Sequence, residues 1–230
     1  MGINNFQNEY ISGEKYYIKK YISPLNSPIV FDVGANVGDF TSLILKSNNS
    51  SICYLFEPHP VTFKTLDAKF NQSNVFKYNI GMGKQADTLQ IFDYEGTNNE
   101  HASMIQEVIT QFHKESSISH SVKITTIDDF CTANNIQKID LLKIDTEGFE
   151  YNVLLGATEM LNQNKIKFIH FEFNAMNVYA GVFFKRFYDL LSANYLIYRL
   201  MPDGLLPIIK YEPVLHEIFS FQNILAVSKK

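Results

Sequence analysis

Apolar residues in this chain fall into short runs that end at turn residues, and stretches of helical length separate the runs. This alternation is typical of a parallel sheet covered by helices. The runs predict about seven core strands, at 28–33, 51–56, 75–80, 139–144, 168–173, 195–200 and 223–228. Two further segments, 88–94 and 121–126, alternate between apolar and polar residues and predict extra strands.

The stretches between the runs show apolar residues at helical spacing. The predicted helices lie at 39–46, 60–70, 151–162 and 183–193, and a short helix begins at Thr126 or Asp128. We therefore predict an α/β fold. Because no linker rich in proline, glycine or serine divides the chain, residues 1–27 are interpreted as a helical lead-in and residues 28–230 as one domain.

Composition narrows the class of protein. The 230 residues are 46% hydrophobic and 19% charged, which suits one packed domain. The net charge is −4 and no basic block is present, which disfavours a nucleic-acid-binding surface. Cys53 and Cys131 are too few for a disulfide framework and are interpreted as small buried side chains. Without a signal peptide or an apolar run of the ~20 residues that span a bilayer, the expected location is the cytoplasm.

The turn after the first strand, 32–38, is rich in glycine, which lets a backbone pass close to a ligand. It differs from the G-x-G-x-x-G pattern of nicotinamide sites, since Asn36 and Asp39 occupy the second and third glycine positions. Asp32, two residues before Gly34, suits a ligand with an ammonium group. S-adenosylmethionine has such a group, although another mononucleotide or a purely structural turn remains open at this point.

Glu57 ends the second strand, 19 residues after Gly38. In doubly wound sheets a carboxylate at this place accepts hydrogen bonds from ribose hydroxyls. An exposed glutamate at a strand end is the alternative, and the glycine turn favours the ribose role. Pro58 stiffens the loop beside the expected adenosine.

Two carboxylates, Asp145 and Glu147, follow the fourth core strand within the segment 143–150. Because open α/β sheets build their sites at the carboxyl ends of strands, the pair is a candidate for removing a proton. The alternative is that Glu147 and Glu150 only favour the positive end of the following helix.

His170 and Glu172 are two residues apart on the fifth core strand, so their side chains share one face. Both are candidates for proton transfer, and a satisfied core histidine beside a paired glutamate is the alternative. Three further histidines could in principle bind a metal: His101, His113 and His120. They are irregularly spaced in a polar region, so no metal site is predicted.

Five segments in this order resemble the FkbM-type family of class I S-adenosylmethionine-dependent methyltransferases. They are FDVGANVGDFT (31–41), FEPHP (56–60), IDLLKIDTEGFEYNVLLGA (139–157), HFEFN (170–174) and NILAVSKK (223–230). The resemblance implies a Rossmann-like fold, with a seven-stranded, mostly parallel sheet, an antiparallel last strand and helices on both faces. It also implies methyl transfer to a hydroxyl of a sugar or polyketide.

The resemblance carries site residues to this sequence position by position. The expected cofactor-binding residues are Asp32, Gly34, Ala35, Asn36, Gly38, Glu57, Pro58, Asn79, Gly81 and Asp145, and the catalytic candidates are Asp145, Glu147, His170 and Glu172. The segment 79–83 is richer in glycine than is usual at the end of the third strand. Residues 101–104 resemble a serine-containing loop of the family only weakly.

A hydroxyl is a poor nucleophile until a base takes its proton, so the expected reaction is O-methylation assisted by one of these four groups. The expected acceptor is a sugar or glycan of a bacterial surface, free or linked to a lipid or nucleotide, held by the loops 95–120 and 173–184. N-methylation of an amino sugar or small molecule, a non-catalytic adenosine-binding protein and a nicotinamide oxidoreductase are the alternatives, the last disfavoured by the missing glycine.

Overall fold

The computed structural model describes residues 1–94 and 102–230, which form a large sheet and a small one. The strands are β1 (Ile29–Val33), β2 (Ile52–Phe56), β3 (Val75–Tyr78), β4 (Gly81–Met82), β5 (Asp87–Tyr94), β6 (Ser117–Thr125), β7 (Ile139–Ile144), β8 (Ile166–Phe173), β9 (Tyr195–Met201), β10 (Gly204–Pro207) and β11 (Gln222–Ser228). The large sheet has the order β10-β9-β11-β8-β7-β1-β2-β3, and the small sheet has the order β4-β6-β5.

The large sheet confirms the predicted fold class. Strands β3, β2, β1, β7 and β8 are paired in parallel, whereas β11 is antiparallel to both β8 and β9. The predicted number of seven strands is one too low. The eighth strand, β10, pairs antiparallel with β9 across a turn of Pro202 and Asp203, because a tight turn returns the chain along the edge of the sheet.

Helices cover both faces of the large sheet, as predicted. They are α1 (Glu14–Tyr17), α2 (Asp39–Ser47), α3 (Pro60–Lys69), α4 (Ile127–Ala133), α5 (Glu150–Leu155), α6 (Thr158–Asn162), α7 (Met176–Tyr179), α8 (Phe184–Leu191) and α9 (Pro213–His216), with π-helical turns at Ile18–Ile22 and Val108–Phe112. Alternate residues of β1 separate the two cores: Phe31 packs in the cluster that includes Phe130 of α4 and Phe187 of α8, and Val30 in the cluster that includes Ile44 of α2.

The helix predicted at 151–162 is wrong as one element, since α5 and α6 are separate there. The break falls at Gly156, where a Cβ would lie 2.0 Å from the main-chain oxygen of Gly83. The backbone just after β4 thus lies so close to the end of α5 that a residue with a side chain does not fit there, and the helix does not continue. No pattern in the sequence of either segment indicates this contact.

The two extra strands predicted outside the core belong to the small sheet, in which Asp87 of β5 pairs with Ile124 of β6. The chain then enters α4, and the hydroxyl oxygen of Thr126 accepts a hydrogen bond from the Asp129 N–H at 2.9 Å. Of the two residues predicted to begin this helix, Thr126 and Asp128, the cap is therefore Thr126. His120 lies on β6 rather than in a loop. His101 and the start of the predicted loop 95–120 lie outside the described residues.

The lead-in is helical only at 14–22, and the residues that precede this helical part run along the ends of β9 and β11. Buried Asn5 donates from Nδ2 to the main-chain oxygens of Ser12 (3.1 Å) and Leu200 (3.3 Å). The Asn4 N–H donates to the carbonyl of Phe221 at 2.8 Å. This segment therefore packs on the carboxyl end of β9 and the start of β11.

Both cysteines are free and buried, which confirms the interpretation of Cys53 and Cys131 as small core residues. Among the helices in residues 1–94 and 102–230, none has the length and apolar character needed to cross a membrane.

Candidate active site

The carboxyl ends of β8, β7, β1 and β2 lie side by side, because these strands are parallel neighbours. A cavity lies at this edge, which is where open α/β sheets bind ligands. Its lining residues are Val33, Gly34, Asn36, Phe56, Glu57, Pro58, Thr62, Gly81, Met82, Ile91, Ala102, Met104, Asp145, Thr146, Glu147 and Phe149. We refer to it as the inner cavity.

Gly34 allows β1 and β7 to end next to each other. Its φ is +77°, and a Cβ at this position would lie 1.7 Å from the main-chain oxygen of Asp145. The Gly34 N–H donates to the Phe56 carbonyl at 2.9 Å, which ties the turn to β2. Gly38, with a φ of +81°, instead lies against the Phe70 ring, so it allows α2 to pack on α3 and does not line the cavity.

The Glu57 carboxylate is positioned by the backbone on both sides. Oε2 accepts a hydrogen bond from the Asn36 N–H, and Oε1 accepts one from the His59 N–H, each at 2.8 Å. Asn36 reaches this position with a φ of +47°. Burial raises the pKa of Glu57 to about 7, and the two N–H donors oppose that shift. Each oxygen keeps a further lone pair, so the group can accept hydrogen bonds from two neighbouring hydroxyls in the cavity.

Asn79 and Gly81 follow β3, but only Gly81 lines the inner cavity. The Asn79 Nδ2 donates to the main-chain oxygens of Glu57 at 2.8 Å and Pro58 at 3.0 Å. Asn79 therefore braces the turn that presents Glu57 and makes no direct contribution to the cavity wall.

The far end of the inner cavity is apolar and was missed by the sequence analysis. Met82 of β4, Ile91 of β5, Met104 and Phe149 form it. A slot of this kind suits a flat heterocycle, because apolar and aromatic side chains cover its faces. The alternation at 88–94 predicted a strand there, but only the packing of the small sheet against the turn after β7 brings these side chains together.

The turn after β7 is held in an unusual backbone conformation. Glu147 has a φ of +53° and Gly148 a φ of +103°. Oε1 of buried Glu150 accepts hydrogen bonds from the Thr146 N–H (2.9 Å), the Thr146 hydroxyl (3.1 Å) and the Gly148 N–H (3.1 Å). The Ser103 hydroxyl donates to the Glu147 carbonyl at 2.7 Å. A positive φ at a non-glycine residue is strained, and strain of this kind clusters at functional sites.

A second, more open pocket adjoins the inner cavity, and we refer to it as the outer pocket. The two share Asp145 and Glu147. The outer pocket is lined by Phe6, Asn8, Glu9, Ser12, Glu14, Asp39, Phe40, Ser42, Leu43, Lys46, Lys143, Asp145, Glu147, Glu172, Asn174, Met176, Phe221 and Asn223. A ligand in the inner cavity and a ligand in the outer pocket would therefore meet at these two carboxylates.

Lys143 of β7 is one of the charged residues of this region to which the sequence analysis gave no role. Its Nζ lies 3.1 Å from Asp145 Oδ2 and 4.0 Å from Glu172 Oε1. Burial raises the pKa of Glu172 well above its ordinary value, and Asp145 adds to this, whereas Lys143 opposes it. The segment 143–150 held the signal, because a lysine in an otherwise apolar strand needs a charged partner.

His170 lines neither pocket, although it shares a face with Glu172 as predicted. Its Nδ1 lies 2.9 Å from the Tyr17 hydroxyl and its Nε2 lies 3.0 Å from Asn223 Oδ1. Burial and the nearby Lys143 lower the pKa of His170 well below its ordinary value. The ring is thus a neutral, hydrogen-bonded core group, which agrees with the alternative considered for it.

Asp32 also lies beneath the site rather than in it. It is buried, and its Oδ2 accepts a hydrogen bond from the Thr41 hydroxyl at 2.6 Å. Burial raises the pKa of Asp32 to about 6, against the effects of Thr41 and Lys143. Asp32 therefore ties β1 to α2 and adds negative charge below the pockets.

The structure brings together six of the expected cofactor residues and three of the catalytic candidates. Gly34, Asn36, Glu57, Pro58, Gly81 and Asp145 line the inner cavity, Asp145 and Glu147 line both pockets, and Glu172 lines the outer pocket. Asp32, Ala35, Gly38, Asn79 and His170 surround these residues without lining either pocket. In residues 1–94 and 102–230, no three side chains of the metal-binding types form a group able to hold a metal ion.

These residues fit S-adenosylmethionine. The apolar slot suits adenine, the Glu57 carboxylate suits the two ribose hydroxyls, and the carboxylates of Asp145 and Glu147 suit the positively charged end. The long axis of such a ligand would then end where the inner cavity meets the outer pocket.

The fold and the sequence of this chain are similar to those of known methyltransferases. The plantazolicin methyltransferase BpumL, solved in complex with SAH, has a TM-score of 0.52 with 9% identity, and the match covers 96% of this chain and 84% of that one. Methyltransferase 1 of Beauveria bassiana is 27% identical over 168 residues, which are 66% of this chain and 68% of that protein. The 2-O-methyltransferase NoeI of Sinorhizobium fredii is 22% identical over 165 residues, 67% of this chain and 66% of that protein.

The model of the family described as Methyltransferase FkbM domain matches residues 32–199, which include the glycine turn, Glu57 and the turn after β7. S-adenosylmethionine is the cofactor of a methyltransferase with this domain and this fold, and it also fits the inner cavity. This chain belongs to the FkbM-domain family of methyltransferases.

Proposed function

We propose that this methyltransferase transfers the methyl group to a hydroxyl of a sugar or glycan. The observation that carries the proposal is the junction of the two pockets at Asp145 and Glu147. The inner cavity fits the cofactor and the outer pocket is open, so an acceptor hydroxyl in the outer pocket would reach the donor at a pair of carboxylates. The name of NoeI as a 2-O-methyltransferase supports oxygen as the acceptor atom.

The chain contributes orientation and proton removal. When bound, S-adenosylmethionine supplies an electrophilic methyl group on a sulfonium. Glu57 would hold the ribose hydroxyls and the slot around Phe149 would hold the adenine, and binding of this kind orients the reacting groups. Glu147 lines both pockets, where it accepts the proton of the acceptor hydroxyl.

A methyl-transfer assay with isotopically labelled S-adenosylmethionine and a panel of oligosaccharides tests the proposal. We expect label on a sugar hydroxyl, identified by mass spectrometry after hydrolysis to monosaccharides, and loss of labelling in Glu147→Gln. Label found only on nitrogen, or binding of S-adenosylhomocysteine without transfer to any hydroxyl-bearing sugar, would contradict it.

A further inference from the structure

Seven of the eighteen residues that line the outer pocket lie outside the matched family domain. The match spans residues 32–199, whereas Phe6, Glu9 and Glu14 precede it and Phe221 and Asn223 follow it. These two segments are joined, since the Phe6 and Phe221 rings form an edge-to-face pair with centroids 5.4 Å apart. Because the inner cavity lies within the matched domain and these two segments do not, the segments are suited to determine which acceptor the enzyme uses.

Charge in the outer pocket is strongly unbalanced. Its carboxylates are Glu9, Glu14, Asp39, Asp145, Glu147 and Glu172, and its ammonium groups are Lys46 and Lys143. Asp39 is paired outside the pocket with Lys69 at 2.6 Å, and Lys143 already faces Asp145 and Glu172. Burial raises the pKa of Glu14 and of Glu172, which reduces the negative charge that these two groups carry, and the attraction of Lys143 opposes both shifts. Carboxyl groups still outnumber ammonium groups in the pocket, so a phosphate or carboxylate there would meet more groups that repel it than groups that attract it.

A buried amide lies on the wall of the pocket. Asn223 is 1% exposed and lines the pocket, and its Oδ1 lies 3.0 Å from His170 Nε2. An amide nitrogen carries two donor hydrogens, so Asn223 is suited to donate to a ligand oxygen in the pocket.

We infer that the outer pocket binds a sugar that is uncharged or carries an amino group, and that bears no phosphate or carboxylate within the pocket. The inference rests on the proposed function and names its acceptor class. Sugar hydroxyls donate to the carboxylates of Glu9, Glu14 and Glu172 and accept from Asn223 Nδ2. Phe6, which is 61% exposed, offers an aromatic surface to the C–H face of the sugar ring. The residues 6–14 thereby act as a specificity element.

Three matched oligosaccharides test the charge requirement. They are an N-acetylglucosamine tetramer, its de-N-acetylated form, and the N-acetylated tetramer carrying one phosphate on a C6 hydroxyl. Binding is measured by saturation-transfer NMR on protein saturated with S-adenosylhomocysteine, so that the inner cavity is filled. We expect both unphosphorylated tetramers to bind, and the phosphorylated tetramer to bind at least tenfold more weakly.

Variants test the residues that the inference names. Glu9→Gln and Glu14→Gln should each reduce the discrimination against phosphate at least threefold, and Phe6→Ala should weaken binding of the neutral tetramer at least fivefold. The affinity for S-adenosylhomocysteine should change less than twofold in all three. Glu159→Gln is the control, because Glu159 is an exposed glutamate of α6 outside both pockets and should behave as the wild type.

Equal or tighter binding of the phosphorylated tetramer would overturn the inference, as would binding of S-adenosylhomocysteine without binding of any tetramer. Unchanged discrimination in both glutamate variants would overturn the role of residues 6–14. Failure of S-adenosylhomocysteine to bind is a separate result, which would overturn the proposed function itself.

Discussion

The ammonium nitrogen of Lys143 lies 3.1 Å from a carboxylate oxygen of Asp145, at the edge where β7 ends. Burial lowers the pKa of Lys143, but Asp145, Glu172 and Glu14 raise it more, and the net pKa is above its ordinary value. Lys143 therefore stays charged in the sheet and fixes the carboxylates on the floor of the outer pocket. This buried cation is thus the partner of Asp145, one of the two carboxylates that the pockets share.

Replacing Lys143 with methionine should damage both stability and turnover. Removing one partner of a buried ion pair leaves Asp145 and Glu172 without their cation, so we expect a loss of about 3 kcal/mol in the free energy of unfolding at pH 8. The loss should shrink as the pH falls, because Glu172, whose pKa is already raised, takes up a proton. Turnover should fall at least tenfold. Urea unfolding at pH 5.5 and pH 8 and a kinetic assay provide the measurements.

Lys143→Arg is the matched control, since it keeps the charge and should retain most of the stability. If Lys143→Met were as stable and as active as the wild type at pH 8, the ion pair would have no role in positioning Asp145.

Glu57→Ala should weaken cofactor binding without unfolding the protein. Hydrogen bonds to a charged group contribute about 1.5–3 kcal/mol each, so loss of both ribose contacts should lower the affinity for S-adenosylhomocysteine at least tenfold. Asn79→Ala should have a smaller effect, about threefold, because Asn79 only braces the turn that carries Glu57. Calorimetric titration of both variants measures this. Unchanged affinity in a folded Glu57→Ala protein would refute the ribose role.

The proton acceptor can be identified by neutral replacements compared side by side. Glu147→Gln should lower kcat at least a hundredfold while the affinity for S-adenosylhomocysteine stays within threefold, since general-base assistance contributes about 10²–10⁴-fold. Asp145→Asn and Glu172→Gln serve as comparisons at the same junction. His170→Asn should lower the thermal unfolding temperature more than kcat, because the ring is buried and bonded to Tyr17 and Asn223. Losses below tenfold in all four would show that the proton leaves by another route.

Glu150→Gln should stabilise the protein at high pH. Burial raises the pKa of Glu150 in the folded protein to about 7, whereas its pKa in the unfolded chain is near 4.5. The stabilising contribution of its carboxyl group is therefore complete below pH 4.5 and is lost as the pH rises through 7. Glutamine keeps the oxygen that accepts the three hydrogen bonds and removes the charge. The variant should match the wild type at pH 4.5 and exceed it by up to about 3 kcal/mol at pH 8.5.

Chemical unfolding across this pH range measures the difference, and Glu150→Ala is the control. Alanine also removes the acceptor for Thr146 and Gly148, so it should destabilise the turn at every pH. A wild type that gains stability relative to Glu150→Gln as the pH rises would contradict the raised pKa.

The sequence by itself determined the fold class, the parallel core and the cofactor edge. These follow from local patterns: apolar runs fix the strands, the turn at 32–38 fixes where the backbone approaches a ligand, and Glu57 ends the neighbouring strand. Parallel pairing places such strand ends at one edge, so Gly34, Glu57 and Asp145 could be assigned to one site before any contact was known.

Tertiary structure alone decided which polar residues face the pockets and which support them. Asp32, Asn79 and His170 carry the right chemistry at the right edge, yet each is satisfied by a neighbour distant in sequence, such as Tyr17 for His170. The apolar slot and the outer wall also join segments far apart in the chain, as Phe6 and Phe221 show. Hydrophobic patterning fixes which face of a strand is buried, but hydrogen-bond partners and cavity walls depend on packing between elements that no local spacing encodes.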